Sequence, residues 1–212
     1  MRFLCVSDIH GNHRALEATL RAAELRGWDQ LVACGDHCFP GPDPLAVWKT
    51  LVSHQALCIQ GVGDRALAEL DPDGLSAIGE RERARLRRLR ETHRELGEII
   101  IARLGKLPPV ARLSAESGHA LVFVHGSPAD PTEPFTHDMT DEQMLALLDE
   151  EPADIIVCGG SHVPFQRQID ELRIINVGSV GEAPGANVAH ATIIDTHPVG
   201  VTVSQFDVPL DE

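Results

Sequence analysis

Apolar positions along the chain change period in a regular order. Residues 2–7 form an apolar run rich in β-formers, and over residues 13–26 Leu16, Leu20 and Ala23 recur at helical spacing. The pattern predicts a strand, a short loop and a helix. It returns as a strand at 30–34, a helix at 44–53 and a strand at 56–60. Strands alternating with helices at this spacing predict parallel βαβ units, because a parallel pair needs a crossover long enough to hold a helix.

Residues 64–104 break the alternation. Leu86, Leu89, Leu96 and Ile100 recur at spacings of three, seven and four, which predicts a helix packing one stripe inward. The dense basic run at 81–90 reads as its solvated face rather than as a binding patch. Pro108 and Pro109 end the helical stretch. Short strands then crowd together at 110–113, 119–124, 153–158, 165–169, 172–176, 189–195 and 201–206. A single helix interrupts them, opened by a capping box from Thr140 to Gln143 and predicted to run to about residue 150. An α/β first half and a strand-rich second half predict two sheets packed face to face with helices outside.

Composition bounds the assembly. A chain of 212 residues, 43% hydrophobic, can bury one substantial core, so one domain over 1–212 is expected, with a helical insertion at about 64–105. The net charge of −14 would repel a phosphate backbone and excludes long nucleic acid as a partner. A small phosphate ester stays open, because bound cations invert the field of an acidic pocket. The first apolar run ends at Asp8, too early for a signal peptide or a membrane span, so a cytoplasmic protein without a membrane partner is expected. Apolar strand edges leave room for a homo-oligomer. The five cysteines, at 5, 34, 38, 58 and 158, lie mostly in apolar runs and read as buried free thiols.

The chemically loaded residues fall just past predicted strand ends, where open α/β sheets place their ligands. The first strand is followed by Asp8-Ile9-His10-Gly11-Asn12, the second by Gly35-Asp36, and later strands by His125-Gly126 and Gly159-Gly160-Ser161-His162. In extended backbone Asp8 and His10 would point the same way, offering a carboxylate and an imidazole to one cation. Each motif alone is weak. Four in order, each at a strand end, are specific.

These motifs, with the segments SDIHGNHRALEATL, ACGDHCFPGPDP, IQGVGDRAL, FVHGSP, VCGGSHVPF and INVGSVGEA, resemble the calcineurin-like metallophosphoesterases over nearly the whole chain, and most closely their small bacterial phosphodiesterase branch. The resemblance implies a four-layer α-β-β-α sandwich of two mixed sheets flanked by helices. It implies a first metal site of Asp8, His10, Asp36 and His162, with Asp36 bridging to a second site that keeps Asp36 and His125. Asp36 and His125 are then the residues through which catalysis would run. The asparagine, the catalytic histidine and the other histidine of the family's second site align with Val62, Gly63 and Gly160, so that site is depleted.

Several neighbours take roles beside this set. His37 is a candidate to reach the vacated region, and Asp64 suits a supporting or helix N-terminal place. Asn12 is a candidate phosphate contact, with capping of the following helix as its plainer role. The implied activity is hydrolysis of a small phosphate ester, a phosphodiester or nucleotide-like compound, by metal-activated water. The implied cofactor is a divalent metal, Mn, Fe or Zn foremost, with Ni or Mg also compatible. A small subunit of the eukaryotic retromer coat is similar to these phosphodiesterases and serves mainly in assembly. The alternative is therefore a catalytically weak binding or scaffold protein that keeps the fold and one metal.

Overall fold

The computed structural model describes residues 1–148, 153–185 and 187–210. β1 (Arg2–Val6), β2 (Gln30–Ala33) and β3 (Leu57–Cys58) are parallel neighbours, joined by α1 (His13–Glu24) and α2 (Pro44–Ser53). The two long C-terminal strands, β9 (Val188–His197) and β10 (Gly200–Pro209), pair antiparallel, and β9 docks antiparallel against β1. This gives a mixed sheet in the order β10-β9-β1-β2-β3. The second mixed sheet has the order β4-β5-β6-β8-β7, from β4 (Val110–Ser114), β5 (Ala120–Val124), β6 (Ile155–Cys158), β7 (Phe165–Ile169) and β8 (Leu172–Asn176).

Side-chain alternation along the strands builds the layers. Leu4 and Val6 of β1 face outward onto Leu16 and Leu20 of α1 and Val47 and Leu51 of α2. Phe3 and Cys5 face inward and meet Leu121, Phe123, Ile155, Val157 and Ile175 of the other sheet. The opposite side of that second sheet, through Val122, Val124, Ile156 and Ile174, is covered by Phe135 and by Met144 of α5 (Asp141–Leu145). The order helix, sheet, sheet, helix is the four-layer sandwich that the motifs implied. Thr140 caps α5 through Gln143 as expected, while the helix end expected near residue 150 lies outside the described residues.

The expected helical stretch after β3 is two helices, α3 (Val62–Glu69) and α4 (Glu80–Leu104). α4 is broken at Gly97, whose φ of 69° and ψ of 165° no helix contains, as glycine allows. Its stripe packs as the spacing predicted: Leu89 and Leu96 are buried, and Leu86 and Ile100 lie beside them, against Cys38, Phe39, Trp48 and Leu67. Among the described residues no helix is long and apolar enough to cross a membrane. The five cysteines are free, and burial pushes every thiol up, Cys58 to about 12.

Candidate metal centre

The parallel strands β1, β2, β5 and β6 end at one rim of the two sheets, and the loops that leave them are stitched together. Asp8 N–H donates to the Gly35 carbonyl at 3.1 Å and His10 N–H to that of Asp36 at 2.9 Å. Gly159 N–H donates to the His125 carbonyl at 2.9 Å. At this rim Gly160 N–H donates across to Asp8 Oδ2 at 2.9 Å, and the His125 ring crosses to the Cys34 carbonyl at 2.8 Å. Gly35 makes the second crossing feasible, because a Cβ there would lie 2.4 Å from His125 Nδ1.

Asp8, His10, Asp36 and His162 share an unusual backbone. Their φ angles are 52°, 48°, 52° and 62°, in the left-handed region that ordinary side chains avoid at a cost of about 1–2 kcal/mol each. Asp8 and His10 therefore converge because both turn left-handed after β1 has ended at Val6, and not because an extended strand alternates its side chains, as the sequence reading supposed. Neighbouring loops over-determine these turns: the Asp8 carbonyl accepts from Ser179 Oγ at 2.9 Å and from Gly181 N–H at 2.9 Å.

Asp8 Oδ1 is fully buried and has no hydrogen bond. Around it stand His162 Nε2 at 3.1 Å, His10 Nε2 at 3.7 Å and His125 Nε2 at 4.0 Å. The two imidazole nitrogens of His10 and His162 face each other across 3.2 Å. A carbonyl can only accept, so His10 Nδ1, 2.7 Å from the Phe39 carbonyl, and His125 Nδ1 must carry the proton when the rings are neutral. Their Nε2 lone pairs are then aimed at the carboxylate. Lone pairs converging on an orphaned buried oxygen fit a cation. Oxygen and imidazole nitrogen donors together suit a borderline divalent metal.

Two donor sets result, Asp8 with His10 and His162, and Asp8 with Asp36 and His125, each with its ligand atoms within 4.8 Å of one another. Asp8 is the member common to both. The sequence reading gave that bridging place to Asp36. In the structure Asp36 sits with His125, its Oδ1 3.7 Å from His125 Nε2 and accepting the Gly63 N–H at 2.6 Å.

Electrostatics follow from this crowding. Burial works to raise the Asp8 carboxyl, but the neighbouring His162 and the charge of His125 outweigh it and hold Asp8 below the usual range. Burial prevails at Asp36, which is raised despite His125. His125 is desolvated, yet Asp36 and Asp8 lift it above an ordinary histidine, and the Asp8 contact lifts His162.

The remaining candidates fall into place around the centre. Asn12 caps α1, its Oδ1 accepting from Ala15 N–H at 3.1 Å, with its amide 3.5 Å from the Gly181 carbonyl. His37 does not reach the vacated region: it is fully buried, bonded to the Ile59 carbonyl at 3.0 Å and 3.6 Å from Asp64. Successive residues after β2 point apart, and this one turns into the core. Asp64 caps the start of α3, accepting from Gly61 N–H at 3.0 Å and His37 N–H at 3.1 Å. Gly160 has a φ of 74°, and a Cβ there would lie 3.0 Å from Pro134 Cβ, so the glycine also relieves a tight turn.

Three side chains beside the centre were not among the sequence candidates. Glu182 Oε2 lies 3.7 Å from His10 Nε2, and Arg81 and Arg85 of α4 line the cavity beside His10 and Asp36. Glu182 stands in the last quoted motif. Nothing local marked the two arginines, because their place beside the centre depends on where α4 docks; both are exposed, as the solvated face of the basic run implied.

The fold is a sandwich of two mixed sheets, with carboxylate and imidazole groups at its strand ends that could hold a metal ion. The chain belongs to the calcineurin-like phosphoesterase superfamily, whose domain model matches residues 1–198. No curated protein matches the sequence. Among solved structures, a hypothetical protein of Pyrococcus horikoshii OT3 is similar at a TM-score of 0.82 and 21% identity, over 100% of this chain and 89% of that one. A metallophosphoesterase of Sphaerobacter thermophilus is similar at 0.76 and 24%, over 97% and 87%. Vps29 of Chaetomium thermophilum shares the fold at 0.55 and 15%, over the full length of both chains.

Proposed function

We propose that the chain is a metal-dependent phosphoesterase acting on a small phosphate ester. The observation that carries this reading is the buried Asp8 Oδ1 with three imidazole nitrogens within 4.0 Å of it. A divalent cation in this class of site lowers the pKa of water for attack on phosphorus and neutralises charge on the phosphoryl oxygens. Asp8, His10 and His162 would hold one ion, and Asp8, Asp36 and His125 a second, weaker one. The carbonyls of Phe39 and Cys34 keep the His10 and His125 rings oriented, and the strained backbone fixes the carboxylates before substrate arrives. Manganese is the metal of choice for testing, and the expected setting is the cytoplasm.

With manganese, the protein is expected to hydrolyse bis(p-nitrophenyl) phosphate, and Asp36→Asn to lower that rate by at least about a hundredfold. Turnover unchanged in the variant would remove Asp36 from the centre. The apolar Val62 and the side-chain-free Gly63 beside Asp36 favour a second reading, a binding protein that retains the fold and one metal. Full metal loading with no turnover of any phosphate ester would decide for it.

Metal affinity should depend on pH. Each donor set contains a histidine held above the ordinary value near ~6.5, His162 in one and His125 in the other. The proton and the cation compete for the same nitrogen, so affinity rises with pH and levels off only above the raised pKa. Below it, each site should lose roughly tenfold in affinity per pH unit. Calorimetric titration with manganese between pH 5.5 and 8 reads this slope, and a flat profile would mean that these histidines do not ligate.

A further inference from the structure

A cavity of about 460 Å³ opens beside His10 and Asp36 and is lined also by Val62, Gly63 and by Arg81 and Arg85 of α4. The other arginines in this part of α4 are engaged. Arg83 and Arg87 pair with Glu80 at 3.5 and 3.9 Å, Arg88 with Glu91 at 3.2 Å, and Arg90 with Asp73 at 3.6 Å. Arg81 and Arg85 have no carboxylate within ion-pair distance among the described residues, and the Arg85 guanidinium lies 5.9 Å from the Phe39 ring. In a chain of net charge −14, two exposed arginines without a carboxylate partner thus line the cavity that the metal-site residues His10 and Asp36 also line.

The scaffold holds them there. Arg88 Nε donates to the Pro40 carbonyl at 2.7 Å and its terminal nitrogen to the Gly41 carbonyl, while the neighbouring Phe39 carbonyl orients His10. Leu89 and Leu96 anchor the same helix in the core. The arginines and the metal centre are thus tied to one loop.

We infer that Arg81 and Arg85 bind the anionic oxygens of the substrate in the cavity they share with His10 and Asp36, where Val62 and Gly63 offer no polar side chain. This deepens the phosphoesterase reading and rests on it. A guanidinium presents a planar fork that matches two phosphate oxygens, and two such charges match a dianion better than a monoanion. The substrate class is therefore a phosphate ester with a doubly charged group at the cavity, a phosphomonoester or a terminal phosphate, in preference to a simple diester.

The test uses the full chain loaded with manganese, titrated calorimetrically at pH 8 with inorganic phosphate and with dimethyl phosphate. Wild-type protein should bind phosphate more tightly than dimethyl phosphate. The pair Arg81→Gln with Arg85→Gln should lose about tenfold or more in phosphate affinity and most of that preference. The pair Arg83→Gln with Arg87→Gln removes the same charge from the same helix and should lose less than about threefold. Equal losses in both pairs, or none in the first, would overturn the assignment while leaving the metal centre standing. Failure of the wild-type protein to bind phosphate at all would overturn both.

Discussion

Asp8→Asn is expected to fold and to lose both metal sites at once. Asp8 is the residue common to the two donor sets, its Oδ1 is buried without a hydrogen bond, and its Oδ2 already accepts from Gly160 N–H. An amide keeps the volume and can still accept that bond, but it lacks the charge that offsets a divalent cation and raises the neighbouring histidines. Metal content measured after dialysis should fall to near zero, and manganese-dependent hydrolysis by about a thousandfold or more. The Asp36→Asn variant should keep the ion held by His10 and His162. A variant at Asp8 that retained one tightly bound ion per chain would show that Asp8 does not join the two sets.

Gly159→Ala should give a large loss of stability. A Cβ there would lie 1.9 Å from Ser7 Oγ, 2.5 Å from Ser7 Cβ and 2.7 Å from Asp8 Oδ2, at the point where the end of β6 meets the end of β1. Ser7 and Asp8 are both fully buried, so neither can step aside without opening the core between the sheets. Overpacking of this kind costs about 3 kcal/mol or more, which for a chain of this size lowers Tm by roughly 6–12 °C. Metal should be lost with it, since Asp8 must move. Gly79→Ala is the matched control: it stands at the N-cap of α4 with nothing within 4 Å, and its melting temperature should stay within about 2 °C. Equal melting temperatures for the two variants would refute the close packing of the strand ends.

The architecture was legible because each layer leaves a local trace. The alternation of Phe3 and Cys5 with Leu4 and Val6, and the helical spacing of Leu16, Leu20 and Ala23, record which face each element buries. Helix starts were legible for the same reason, as with Thr140 and Gln143, whose capping bonds are local. Element ends were less so. β3 shrank to Leu57–Cys58, and β9 and β10 lengthened to Val188–His197 and Gly200–Pro209, because pairing with a neighbour, rather than propensity, sets where a strand stops.

By itself the sequence determined the fold class and the identity of the residues gathered at the rim, since strand-end position and residue type are properties of short segments. Only the tertiary structure decided how those residues divide. Asp8 is common to both donor sets because left-handed turns, held by Gly35, Ser179 and Gly181, swing it to the middle of the histidines. His37 went to the core and Asn12 to a helix cap for equally local reasons of geometry that neighbours impose. Arg81 and Arg85 reached the cavity through the docking of α4, a contact between segments far apart in the chain. Such contacts depend on burial and distance across the fold, and no pattern along one stretch of sequence encodes them.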